Sequence, residues 1–285
     1  MRPQILFPLF APLATLPGMG PKLAPLVARA VGGDKVADLL WHRPVGLVDR
    51  RSTPPVAEAP DGAVSTLVVV VEQHMPPRTR TLPYRVRCRD ESGYLHLVFF
   101  RAREDWMLAQ FPVGARRVVS GRVERFRDEI QMAHPDHVGP PETLAEIARV
   151  EPVYGLTAGV TARVMARTVR AALDRAPAFD EWLAPALVRR EGWPAWREAL
   201  EALHAPQGQA DLLAGTAARR RLAYDELLAN QLALHLVRRS QRRLGAQPLP
   251  VAGALEKRAR EALPFRLTGA QERAIAEIQD DLAKP

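Results

Sequence analysis

Cysteine is nearly absent: Cys88 is the single one in 285 residues. No intramolecular disulfide and no cysteine-based zinc site can therefore form, and a reducing cytoplasm is compatible with the composition. Lysine is almost as scarce. Lys22, Lys35, Lys257 and Lys284 are the whole set, although lysine and arginine together number 40 against 32 acidic residues, for a net charge of +8. The charge is therefore carried by arginine, which suits bidentate phosphate contacts and stacking on bases. Abundant alanine points to a GC-rich coding bias behind the arginine number, so the placement of the arginines is what informs. No apolar run is long enough to span a bilayer. The nearest thing to a signal core, residues 5–16, is interrupted by Pro8 and Pro12, flanked by a single Arg2 and followed by no small-residue cleavage site. There is no G-x-x-x-x-G-K-[ST] loop, no G-x-S-x-G, no H-E-x-x-H and no paired-carboxylate pattern. The chain by itself thus has no loop to cradle ATP phosphates, no catalytic residue to nominate and no metal site.

What is present begins with Leu16-Pro17-Gly18-Met19-Gly20-Pro21-Lys22. Two glycines lie between apolar residues 11–16 and the apolar-periodic run 23–31, the layout of a helix-hairpin-helix. Such a turn needs positive φ or close backbone approach, and glycine allows both. The second helix is expected to start beside Lys22 with free N–H groups outward, an anion site that fits a DNA phosphate. Gly18, Gly20 and Lys22 are therefore candidate DNA contacts. An ordinary helical corner competes with this assignment.

Four segments are expected. Residues 1–52 read as short helices, and 53–150, after a proline-rich connector, as β structure. Residues 151–250 are helical, and 251–285 open a further domain. Strands are predicted at 66–72, 84–89, 94–100, 116–125 and 130–138, with a helix at 102–111 between the third and fourth. Five strands in that order make an oligonucleotide-binding (OB) barrel, so the fold class is α+β, a five-stranded OB barrel flanked by helical segments. Residues 216–244 contain no Gly or Pro and suit one long helix, with Arg238, Arg239, Arg242 and Arg243 near its C-terminus, where the helix dipole favours cations.

Strict alternation in 84–89 sends Tyr84, Val86 and Cys88 to one face and Arg85, Arg87 and Arg89 to the other. In the next strand Leu95, Leu97 and Phe99 form the inner set, leaving Tyr94, His96, Val98 and Phe100 outside with the arginines. Arginines beside aromatic rings make a nucleic-acid platform: the cations neutralise phosphate, and each ring can stack on a base for about 1–3 kcal/mol. A solvated strand face, with Phe100 covered by the following helix, is the alternative. His134, Asp136 and His137 offer metal-ligating types, but a strand end followed by a turn explains them better. His42, His74, His204 and His235 have no evident partners in the sequence.

Taken in order, these pieces resemble the RecG family of bacterial ATP-dependent helicases, which remodel stalled forks and Holliday junctions. The similarity rests on the Leu16–Lys22 motif, then Asp38-Leu39-Leu40-Trp41-His42-Arg43-Pro44 and Asp49-Arg50. It continues through Phe99-Phe100, Ser120-Gly121, Gln131-Met132-Ala133-His134-Pro135 and Pro152-Val153-Tyr154-Gly155-Leu156-Thr157. Leu203-His204-Ala205-Pro206, Arg219-Arg220-Arg221-Leu222-Ala223-Tyr224-Asp225-Glu226-Leu227-Leu228 and Leu263-Pro264-Phe265-Arg266-Leu267-Thr268-Gly269-Ala270-Gln271 complete it.

The resemblance implies that the barrel is a wedge at the branch point and that Phe100 is its stacking phenylalanine. A second ring is implied four positions later, where this chain has Glu104; Trp106 is the nearby substitute. An aromatic is also common before Asp49-Arg50, where Leu47-Val48 stand here. Phe265 and Gln271 resemble the family's adenine-recognition element, the ring stacking and the amide pairing with N7 and N6–H. ATP and Mg²⁺ would serve the full-length protein, with the start of a RecA-like motor at the end of this chain and the phosphate loop beyond Pro285. The implied partners are branched and single-stranded DNA, with no membrane, for a monomer in the cytoplasm at the nucleoid. A stand-alone single-strand-binding OB module and a basic adaptor for another protein remain as rivals.

Overall fold

The computed structural model describes residues 3–79, 81–126, 129–241, 249 and 253–283. It divides into two units, residues 1–223 and 224–285.

The first unit opens with α1 (Phe7–Phe10), α2 (Ala24–Val31) and α3 (Val36–Leu40), then β1 (Gly46–Asp49). The β segment follows as β2 (Val64–Met75), β3 (Tyr84–Arg89), β4 (Tyr94–Phe99), α4 (Glu104–Gln110), β5 (Arg116–Phe126), β6 (Glu129–Ala133) and β7 (His137–Gly139). After α5 (Leu144–Ile147), β8 (Val150–Val153) pairs antiparallel with β1, so the β segment lies between two strands that meet. The unit continues with α6 (Ala162–Arg175), α7 (Pro185–Glu191), α8 (Trp196–His204) and the start of α9 (Ala217–Gln241). The second unit holds the rest of α9, then α10 (Ala254–Glu261) and α11 (Gly269–Leu282).

The sheet has six strands in the order β2-β3-β4-β6-β5-β7, and β2 pairs also with β5. One long strand can serve both neighbours because its register shifts between Val71 and Gln73: residues 64–70 face β5, and residues from Val70 to Met75 face β3. A bulge of this kind bends a strand and turns its two ends toward different partners. The predicted strand 130–138 is in fact two, β6 and β7. His134 takes φ +46 and Pro135 has no N–H to donate, so the ladder cannot run through them.

Two buried cores result. In the sheet, Tyr84, Val86, Cys88, Leu95, Leu97 and Phe99 point inward with Leu67, Val69, Val119 and Met132, and Met107 and Phe111 cover them from the α4 side. This is the inner set that alternation predicts. Burial pushes the Cys88 thiol up to about 12, with the Glu72 carboxylate adding to the effect, so it is an inert core group. The second core is helical and joins segments far apart in sequence. Leu13, Leu16, Val27, Leu39 and Leu40 pack with Met165, Val169, Ala172, Leu200 and Leu222.

Histidines brace both cores through partners that were not evident in the sequence. His204 donates from Nε2 to the Leu40 carbonyl at 2.8 Å, so its Nδ1 accepts from the Tyr154 hydroxyl at 3.0 Å. Burial is the main cause that lowers this ring to about 4. His42 Nε2 meets the Gly155 carbonyl at 2.8 Å, and His74 bridges Tyr84 Oη and the Phe111 carbonyl. His235 is exposed on α9. Arg238 and Arg239 are exposed in the last turn of α9, whereas Arg242 and Arg243 lie outside the described residues.

Candidate nucleic-acid interface

β4 ends at Phe99, and the chain then turns sharply through Phe100 and Arg101 into α4. Phe99 points inward, so Phe100 is carried outward and is 55% exposed. Arg101 holds φ +57. The turn, α4 and the end of β6 border an open cleft of about 670 Å³ lined by Phe99, Phe100, Arg103, Trp106, His134 and Pro135 among others. Trp106 stands on α4 at 48% exposure, its ring edge against Phe99 with centroids 6.3 Å apart. Glu104 is exposed at the first turn of the same helix. The cleft therefore presents two accessible aromatic surfaces, Phe100 and Trp106, together with cations from Arg101 and Arg103. A third ring, His134, lies beside Phe100 with centroids 5.6 Å apart. The sequence marks His134 only as a strand end, because its neighbour in space is 34 positions away in the chain.

The arginine face lies on the outer side of β3, as alternation predicts, but its cations are engaged. Arg85 meets Glu129 at 2.6 Å, and Arg87 meets Glu72 at 2.6 Å, with Arg89 3.9 Å from the same carboxylate. The hydrogen bond from Arg85 is the first cause that lowers the Glu129 carboxyl. Arg87 also lies over the Tyr94 ring at 5.4 Å. His96 is half-buried, and burial, with Arg85 adding to it, lowers its imidazole. Val98, expected outside, is buried between its register partners Arg85 and Ala133. Tyr94, Arg87, His96, Arg125 and Glu129 border a second, smaller cleft of about 370 Å³. One predicted platform is thus two surfaces: an aromatic cleft around Phe100, and an ion-paired strand face around Arg87.

The glycine hairpin has a different geometry from the one expected. Residues 11–16 give a single 3₁₀ turn, Leu13–Thr15, rather than a first helix. Gly18 does need its glycine: φ is +76, and a Cβ there would lie 2.9 Å from the Arg167 guanidinium. Gly20 has ordinary φ and open space, so it needs neither condition. The N–H groups of Leu23 and Ala24 both go to the Gly20 carbonyl, Leu26 and Val27 donate to Leu23, and Pro25 has no N–H. The donors that would bind an anion at the start of α2 are spent internally, which leaves the exposed Lys22 as the cationic group there. Leu16 and Met19 are anchored in the helical core, so the hairpin braces that core.

Phe265 is exposed in the second unit. Gln271 is the third helical residue of α11, and its Oε1 accepts the Thr268 N–H at 2.8 Å while Thr268 Oγ1 accepts the Gln271 N–H at 3.4 Å. This is a capping box, readable in Thr268-x-x-Gln271. No cluster of three His, Cys, Asp or Glu side chains able to hold a metal ion occurs among the described residues, and among them no helix is long and apolar enough to cross a membrane.

The chain is homologous to the ATP-dependent DNA helicase RecG. It is 33% identical over 281 residues to RecG of Escherichia coli O127:H6 (strain E2348/69 / EPEC), a match that takes in 95% of this chain and 40% of that protein. It is 28% identical over 274 residues to RecG of Aquifex aeolicus (strain VF5), covering 90% of this chain and 34% of the relative. The chain thus spans about 40% or less of the length of these curated relatives. A solved structure of RecG bound to a three-way DNA junction shares the fold, with TM-score 0.66 and 24% identity over 97% of this chain and 38% of that one. No family model matches.

Proposed function

We propose that this chain supplies the junction-binding wedge and linker of an ATP-dependent DNA helicase that drives branch migration or fork reversal in recombination and repair. The ring of pairings β2-β3-β4-β6-β5-β2 is, on this reading, an OB-type barrel, with β7 as an added edge. The barrel stands at the branch point, and unpaired bases stack on Phe100, with Trp106 replacing the ring that Glu104 does not provide. Arg85, Arg87, Arg89, Tyr94 and His96 track the phosphates and bases of a single strand, and Lys22 meets duplex phosphate beside the Gly18–Gly20 turn. Strand separation is mechanical, powered by ATP hydrolysis with Mg²⁺ in a motor domain of the whole protein. Residues 1–52, 53–150, 151–250 and 251–285 would divide as N-terminal helical segment, wedge, linker and start of the motor. Phe265 and the Gln271 amide N–H groups suit an adenine, although the Gln271 oxygen is already taken by the α11 cap. The protein would work as a monomer in the cytoplasm, at the nucleoid.

The observation that supports this most is the open aromatic cleft around Phe100, in a chain homologous to RecG over nearly all its length. Its test is Phe100→Ala with a model fork and a linear duplex of equal length. The substitution is expected to weaken fork binding by about 1–3 kcal/mol, the worth of one stacked base, and duplex binding by less. Equal losses on both substrates would remove the junction role. Preference for plain single strand over the fork would favour a stand-alone OB module instead.

A further inference from the structure

Among the described residues only two that are not glycine have positive φ, Arg101 and His134, and both line the Phe100 cleft. Left-handed backbone is unfavourable for a residue with a Cβ and persists only where the surroundings hold it. Here the holding contacts are plain. His134 donates its own N–H to the Val98 carbonyl at 2.9 Å, which locks its backbone against the end of β4. Its Nε2 then accepts the N–H of Phe100 at 3.1 Å. Its ring lies against Phe100 at a 31° tilt, and edge-on to Phe99 with centroids 5.8 Å apart. The imidazole thus holds the outward phenylalanine by both backbone and ring, from the turn after β6, remote in sequence.

We propose that His134 is the positioning residue that sets Phe100 for stacking at the branch point. A backbone N–H cannot accept, so Nε2 must be the acceptor and the ring proton must sit on Nδ1. The charged groups that line the cleft with His134 are Arg101 and Arg103 from the turn after β4 and Asp105 from α4, and Arg103 is paired to Asp105. The inference rests on the wedge role proposed for Phe100 and adds to it the group that fixes the direction of the ring.

The test uses the full chain and a model fork carrying 2-aminopurine at the branch, with affinity and base fluorescence read together. His134→Gly keeps the left-handed backbone at no cost and removes the acceptor. It should weaken fork binding about three- to tenfold, as one hydrogen bond is lost, and change the fluorescence of the branch base, with duplex binding unmoved. His134→Gln carries a side-chain oxygen with the reach of the imidazole Nε2, offers it to the Phe100 N–H and should restore most of the native fork binding. The proposal fails if His134→Gly binds like the native chain while Phe100→Ala shows its loss, or if His134→Gln binds no better than His134→Gly. A silent Phe100→Ala would instead remove the wedge role itself, and the positioning role with it.

Discussion

Arg50 and Arg87 carry the same guanidinium group, each beside a glutamate, in the same unit of the protein. Arg50 is 5% exposed, at the meeting point of the two-stranded and six-stranded sheets. It donates to Glu151 at 2.8 Å, to Asp136 at 2.9 Å and to Ser120 Oγ at 3.2 Å, so each of its three nitrogens has a protein partner. Burial raises the Glu151 carboxyl, but hydrogen bonds from His137 and Arg50 outweigh that and hold it at about 2. Arg87 sits on an open strand face, with its side chain 37% exposed, and shares Glu72 with Arg89. Removing water from a charge is expensive and is repaid only by full pairing, so the Arg50 cluster is committed to structure. An exposed pair is worth about 0–1 kcal/mol and can trade its carboxylate for a phosphate. Burial therefore separates an arginine that joins two sheets from one that is available to a ligand.

Breaking the buried member should give the largest effect. Arg50→Ala leaves Glu151 half-buried without its guanidinium partner, and is expected to cost about 3–5 kcal/mol in chemical denaturation. Arg50→Lys should recover part of this, because an ammonium cannot span two carboxylates and a serine at once. Indifference to Arg50→Ala would mean that the two sheets hold together by packing alone.

Acid should act on the same contrast. Glu151 falls from the ordinary 4.5 to about 2 in the folded protein. A lowered carboxylate stabilises above its unfolded value, and that contribution is lost as pH falls from 4.5 toward 2. His204 in the helical core is lowered from 6.5 to about 4, mainly by burial. The unfolded chain takes up that proton first, so stability is lost earlier, as pH falls from 6.5 toward 4. Each limb amounts to at most about 3 kcal/mol by linkage. Unfolding free energy measured against pH should show both limbs, with the lower one missing in Glu151→Gln. A single limb in the native chain would mean that one of the two sites is not built as described.

How much of this was legible in the sequence follows from how local each signal is. The β3–β4 faces could be read because a half-buried antiparallel strand alternates residue by residue, and Phe100 was placed outward by that alternation. Val98 broke the pattern: it is flanked in the sheet by Arg85 on β3 and Ala133 on β6, long-range neighbours that no local period records. The break between β6 and β7 could have been taken from His134-Pro135, and the α11 cap from Thr268-x-x-Gln271. In the glycine hairpin Pro25 removes a donor from the helix start, a signal against an anion site that is local and legible. The Arg50 cluster draws on residues 70, 86 and 101 positions away. The pairing of His134 with Phe100 likewise depends on which strands become neighbours, so both awaited the fold.

On the exposed side the expected effects are smaller and concern binding more than folding. Arg87→Ala should leave stability within about 0.5 kcal/mol of the native chain, the usual range for an open surface site. It should weaken fork binding and lower the slope of log affinity against log salt by about 0.7–0.9, one phosphate contact.

Glu72→Gln gives the finest test. It keeps the shape of the side chain but releases Arg87 and Arg89 from their shared carboxylate. If these arginines are available to phosphate, losing the competing anion should raise affinity for single-stranded DNA up to about fivefold, since an exposed pair holds each cation by no more than about 1 kcal/mol. The gain should shrink as salt screens the strand. An unchanged affinity in Glu72→Gln, together with an unchanged salt slope in Arg87→Ala, would mean that this face serves only the sheet. The aromatic cleft would then be the sole DNA contact on this side of the fold.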